Sequence, residues 1–121
     1  MGIDFGIEDR PVDDYTHLIS LRGELDFFTA AEFKHRIAAP LENEVEQIIV
    51  DLTRVTFVDS SCLGVLLDAH RRLDARDGRL FVACRREAIL KTLRITGLDG
   101  VFAVVPSVQA ALHERSGVHA A

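Results

Sequence analysis

Apolar and polar residues alternate in "IDFGI" (3–7), which predicts a half-buried strand. "RPVDD" (10–14) carries turn residues, and "YTHLISLRGEL" (15–25) reads as a second strand. The connection is short, so these two strands should be antiparallel. "TAAE" (29–32) has the form of a capping box, with Thr29 accepting from the Glu32 N–H and Glu32 reaching back. Phe33, Ile37 and Leu41 mark the apolar face of the helix that follows, and Pro40 should kink or end it. "VEQIIVDL" (45–52), rich in β-branched residues, predicts a buried strand. A helix over 61–76 then shows Leu63, Leu66, Leu67, His70 and Leu73 on one face. Asp77-Gly78 turns into a strand at 79–84, and a helix over 86–96 stops at Gly97, a left-handed C-terminal cap. A last strand (100–105) precedes a helix opened by Pro106-Ser107, with Ser107 as its cap and Val108, Ala111 and Leu112 facing inward.

The predicted order is β-β-α-β-α-β-α-β-α. Strands separated by helices pair in parallel through right-handed crossovers. The fold class is therefore α/β: one domain over 1–115, with a mixed, mostly parallel sheet of about five strands and four helices, and a loose tail over 116–121. Strand order stays open. In such sheets, sites gather at the C-terminal ends of the strands. Here that edge collects Asp26 after the second strand, Asp59, Ser60, Ser61 and Cys62 after the third, and Cys84, Arg85 and Arg86 after the fourth.

Composition narrows the function. With 121 residues, 48% hydrophobic and 27% charged, the chain suits a single globular domain. A net charge of −5 argues against direct nucleic-acid binding. No run approaches the roughly 20 apolar residues that span a bilayer. "MGIDFGIEDR" reads as neither a secretory signal nor a myristoylation site, since position 6 is Gly. The two cysteines, Cys62 and Cys84, are then expected as free thiols of a cytoplasmic protein, and no Cys/His spacing predicts a metal site.

The turn "VDSSC" (58–62) holds the candidate chemistry. Ser60 or Asp59 should cap the helix, whose unpaired N–H groups favour an anion. Capping alone does not require a second serine. A serine hydrolase would need small residues around its nucleophile and a base, whereas Asp and Cys flank this pair and no His falls in the loops at the loaded edge. No enzyme is expected. The arginines 71, 72, 76, 79, 85 and 86 alternate with acids and read as a solvated, mixed-charge face. Of Phe27 and Phe28, one is expected in the core and the other exposed at a partner surface. A first-turn position should lower the Cys62 pKa. Two reduced, unconnected thiols are expected, with a reversible Cys62–Cys84 bond as the alternative if the Cα atoms lie within about 7 Å.

"GELD" (23–26), "VDLTRVTFVDSSCLGVLL" (50–67) and "TGLDGVF" (96–102) resemble the STAS domain family, most of all bacterial anti-sigma factor antagonists. The likeness covers nearly the whole chain. It implies a non-enzymatic, cofactor-free regulator that binds an anti-sigma factor serine kinase when unphosphorylated and so frees a sigma factor. Phosphorylation of Ser60, the serine after Asp59, would switch it off, and a serine phosphatase would reverse the mark. The resemblance places Asp26, Asp59, Ser60, Ser61 and Cys62 on the partner-binding surface. Cys62 stands where the family often has Gly. The same fold also serves interaction or ligand-binding modules in stress-signalling and lipid-transport assemblies.

Overall fold

The computed structural model describes residues 5–118, with side chains through 115. The elements run β1 (Gly6–Pro11), β2 (Thr16–Leu25), α1 (Phe27–Glu42), β3 (Gln47–Val58), α2 (Ser60–Asp74), β4 (Arg79–Ala83), α3 (Glu87–Ile95), a 3-10 turn (Leu98–Gly100), β5 (Ala103–Val105) and α4 (Val108–Val118). They form a five-stranded sheet in the order β1-β2-β3-β4-β5, with β1 antiparallel to β2 and the other pairs parallel. The predicted class and element order are those observed.

The parallel strands advance across the sheet in one direction, so crossovers of one hand leave their helices on one face. Accordingly α1, α2 and α3 bury Phe33, Ile37, Leu66, Leu73, Ile89 and Leu93 in one large core against that face. The chain then returns beneath the sheet. There α4 closes a smaller core in which Ala111 meets Leu18, Ile49, Phe81 and Val105. Burial on both faces explains the near-continuous apolar run in β3.

Several boundaries differ from the sequence reading, each for a local reason. The first strand spans Gly6–Pro11 rather than 3–7, and Ile3 and Asp4 lie outside the described residues. The turn sits later because the Asp13 carboxylate accepts the N–H groups of Tyr15 and Thr16, while Val12 N–H reaches the Thr16 carbonyl. The capping box belongs to Asp26, not Thr29. The Asp26 carboxylate takes the Phe28 and Thr29 N–H groups, and the Thr29 hydroxyl accepts the Asp26 N–H at 2.8 Å. Helix α1 runs two residues beyond Pro40 to Glu42. Its end is held by Arg76, which donates to the carbonyls of Leu41 and Val45.

Strand β3 extends to Val58, six residues past its expected end. Strand β5 keeps only three residues because Leu98–Gly100 coils into the 3-10 turn. The buried line of α2 is Cys62, Leu66, Ala69 and Leu73, rotated from the predicted face, so that Leu63, Leu67 and His70 are half-buried at its flank. Gly97 is left-handed at φ 75°, as its cap position demands. Ser107 accepts the Ala110 N–H at 3.0 Å. Helix α4 continues to Val118, past the expected start of the tail, and residues 119–121 lie outside the described range.

At the entry to β4 the turn pair divides its tasks. Asp77 takes the left-handed conformation, at φ 60°. Gly78 supplies close approach: a Cβ there would lie 2.5 Å from the Glu46 carbonyl oxygen. That oxygen also accepts the Arg79 N–H at 2.9 Å, where β4 begins to pair with β3. Gly78→Ala should therefore destabilise the domain by about 1–3 kcal/mol, the range for forced overpacking. Urea denaturation measures it, and an unchanged midpoint contradicts the close contact.

Candidate functional site at the C-terminal edge of the sheet

Strands β2 and β3 finish side by side, Leu25 opposite Val58. The Asp59 N–H then donates to the Leu25 carbonyl at 3.1 Å, tying the start of α2 to the end of β2. One residue beyond Leu25, Asp26 caps α1, while Asp59 caps α2. The sheet edge thus presents two packed helices whose N-termini are each closed by an aspartate. A carboxylate at a helix start offsets the positive end of the backbone dipole. The Asp26 carboxyl is held below its ordinary range, first by the Thr29 N–H, which together with the Thr29 hydroxyl and the Phe28 N–H outweighs the opposing effect of desolvation. It is therefore an anion throughout the neutral range.

The three residues after Asp59 face different ways. Asp59 Oδ1 accepts from the N–H of Ser61 at 2.9 Å and, more loosely, of Cys62 at 3.4 Å. Asp59, not Ser60, is therefore the cap. Ser60 is the first residue of α2, is exposed, and its hydroxyl makes no hydrogen bond among the described residues. Ser61 is half-buried and lines a groove of about 390 Å³ between α1 and α2, with Ile37, Leu41 and Val65 on its floor and Lys34 and Arg72 at its rim.

Cys62 opens the buried line of α2 and is fully enclosed. Burial, reinforced by the Asp59 carboxylate, pushes its thiol pKa up to about 12. This reverses the expectation of an activated thiolate: desolvation outweighs the helix dipole. Cys84 is also buried, which raises its thiol pKa too, and both cysteines are free. Iodoacetamide at pH 8 should therefore leave Cys62 unmodified in the native protein and alkylate it only with denaturant. Mass spectrometry checks this, and native labelling at the rate of a free cysteine contradicts the assigned burial.

The other edge residues hold the scaffold. Arg86 donates from Nε to the Val55 carbonyl at 3.0 Å, anchoring the start of α3 to β3, whereas Arg85 is exposed. Arg79 lies over the Phe81 ring at 4.7 Å and near Glu114. With Arg76 bonded at the end of α1, the arginine series divides into separate structural contacts and solvated charges. His70 is half-buried beside Phe102, at a ring separation of 6.5 Å.

Both Phe27 and Phe28 are exposed, against the expectation that one would enter the core. Asp26 starts the helix directly before them, so both precede the buried stripe of Ala30, Phe33, Ile37 and Leu41. Sequence reasoning missed Phe57, which is 49% exposed near the end of β3. The expected strand ends at Leu52, and the β2–β3 register shift at Gly23/Glu24, the residues that face Val55 and Phe57, leaves Phe57 exposed where Val55 is buried. No described helix is long and apolar enough to cross a membrane.

Known proteins share this fold. The chain is 29% identical over 104 residues to an anti-sigma-B factor antagonist of Listeria monocytogenes, covering 86% of this chain and 90% of that one. It is 26% identical to a structurally characterised anti-sigma factor antagonist from Mycobacterium paratuberculosis, with a TM-score of 0.82 over 91% and 92% of the two chains. The fold is also that of the Bacillus cell fate determinant SpoIIAA in its phosphorylated form, at 24% identity, with a TM-score of 0.73 over 90% and 98%. The STAS domain model matches residues 9–111, the span that runs from β1 into α4. The chain belongs to the STAS domain family.

Proposed function

We propose that this protein is an anti-sigma factor antagonist that binds an anti-sigma factor serine kinase while Ser60 is unmodified and lets it go once Ser60 is phosphorylated. The observation that carries this reading is the Ser60 hydroxyl: exposed, without a hydrogen bond among the described residues, and relieved of capping by Asp59. A kinase substrate has to supply little more than an accessible hydroxyl, because the kinase brings nucleotide, metal and base. The names of the relatives support the antagonist role.

Phosphorylation adds about −1.5 to −2 charges at neutral pH. The N-terminus of α2 tolerates an anion, so the domain keeps its fold. Ser60 is exposed at the contact, so the bulk of the phosphate holds the partner's surface off an edge that Asp26 and Asp59 already make acidic. Surface charge changes and the core does not. Asp26, Asp59, Ser60 and Ser61 form the contact surface in this reading, with Cys62 contributing through its backbone. A serine phosphatase restores binding, and the setting is cytoplasmic. The deciding experiment incubates the protein with an anti-sigma kinase and ATP, maps phosphate by mass spectrometry, and compares affinity before and after. No phosphate on Ser60, or equal affinity in both states, refutes the proposed switch.

A further inference from the structure

Three phenylalanines stand in solvent at this same edge: Phe27, Phe28 and Phe57, exposed by 68%, 80% and 49%. Phe27 and Phe28 open α1, with their rings edge-to-face at 5.6 Å. Phe57 lies opposite Glu24 in the β2–β3 register, two residues before the Asp59 cap. Exposed aromatic rings are unfavourable in water and concentrate in the cores of protein interfaces. The packing of α1 does not use Phe27 or Phe28, since its buried stripe begins at Ala30.

The charges beside Phe27 and Phe28 are acidic. Asp26 precedes Phe27, and Glu32 lies one helical turn from Phe28. The first cation along α1 is Lys34, nearly two turns from Phe27. The Phe27–Phe28 pair with its carboxylate collar is complementary to an apolar pocket with a basic rim.

We infer that Phe27 and Phe28 anchor the anti-sigma factor by entering such a pocket, so that the phenylalanines supply affinity and Ser60 supplies the switch. This rests on the antagonist reading above. The anchors hold the kinase for catalysis as well as for sequestration, because both begin from the same docked complex. Their removal therefore acts on encounter and residence, and not on transfer of the phosphoryl group to the Ser60 hydroxyl.

The test uses the full chain and a panel of purified anti-sigma factor kinases. Phe27→Ser/Phe28→Ser should lower affinity at least about tenfold, as loss of buried aromatic anchors does. Its KM for Ser60 phosphorylation should rise with kcat within about twofold, the signature of lost uniform binding. Thermal unfolding should stay unchanged, because neither ring is in the core. Wild-type affinity should fall with salt, and Glu32→Gln should flatten that slope.

Undiminished affinity in the phenylalanine variant, while Ser60→Asp weakens binding, overturns the anchor and leaves the antagonist reading standing. Failure of the wild type to bind any of the kinases overturns both. Sedimentation that shows a wild-type dimer, dissociated by the double substitution, assigns the patch to a second copy and overturns the inference.

Discussion

Under the proposed switch, Ser60→Ala should hold its anti-sigma factor regardless of ATP, because a kinase would find no acceptor there. The fold gives this substitution an unusually clean reading. Asp59 caps α2, so removing the Ser60 hydroxyl takes nothing from the helix. Stability should change by less than about 0.5 kcal/mol, as for other exposed positions without a structural task. Asp59→Ala provides the contrast: it should cost about 1 kcal/mol through the lost cap while leaving the Ser60 hydroxyl in place. Ser60→Asp adds one negative charge where phosphate adds nearly two, and lacks its shape. It should weaken partner binding without reaching the phosphorylated limit. Ser61→Ala should still be phosphorylated. Phosphate mapping by mass spectrometry with affinity measurements on these variants checks the set. Phosphate on Ser61 in the wild type, or a Ser60→Ala protein still released by kinase and ATP, moves the switch elsewhere.

Phe33→Ala should cost about 3–5 kcal/mol, a large share of the roughly 5–15 kcal/mol that holds a domain of this kind. Phe33 is fully buried in the larger core, midway along the stripe by which α1 packs against the sheet. Truncation removes the ring's contacts and leaves a cavity that the sheet beneath cannot collapse to fill. The melting temperature should fall by about 12–20 °C. The urea midpoint should fall with little change in slope, since the surface exposed on unfolding is nearly the same. Ser60 lies outside that core, so the surviving folded fraction should be phosphorylated at a normal rate. A loss below about 1 kcal/mol in urea contradicts the assigned packing.

Helical spacing marks Phe33 as a core residue, but residue types alone do not tell which residue of the Asp59-Ser60-Ser61 turn is free. Adjacent Asp and Ser residues are both good helix caps, and hydrogen bonding decides between them: Asp59 takes the Ser61 N–H, which frees Ser60. Asp26 likewise displaces Thr29 as the cap of α1. That shift moves the helix start back to Phe27 and sends both Phe27 and Phe28 to the surface. Phe57 was missed because the expected strand ends at Leu52, whereas β3 pairs on through a register shift to Val58.

What the sequence by itself determined was the order of elements, the α/β class, the parallel majority of the sheet and the edge that gathers Asp26, Asp59 and Ser60. Those follow from hydrophobic periodicity and the handedness of crossovers, both local properties of the chain. The tertiary structure alone decided which aspartate caps, which serine is free, where the aromatic rings stand and what becomes of the thiols. Cys62 shows why. Its place in the first turn of a helix predicts an acidic thiol, yet burial under the α2–sheet contact raises the pKa to about 12. A helix position is written in the sequence around it. Desolvation depends on atoms that arrive from distant segments, and in a packed interior it outweighs the local dipole.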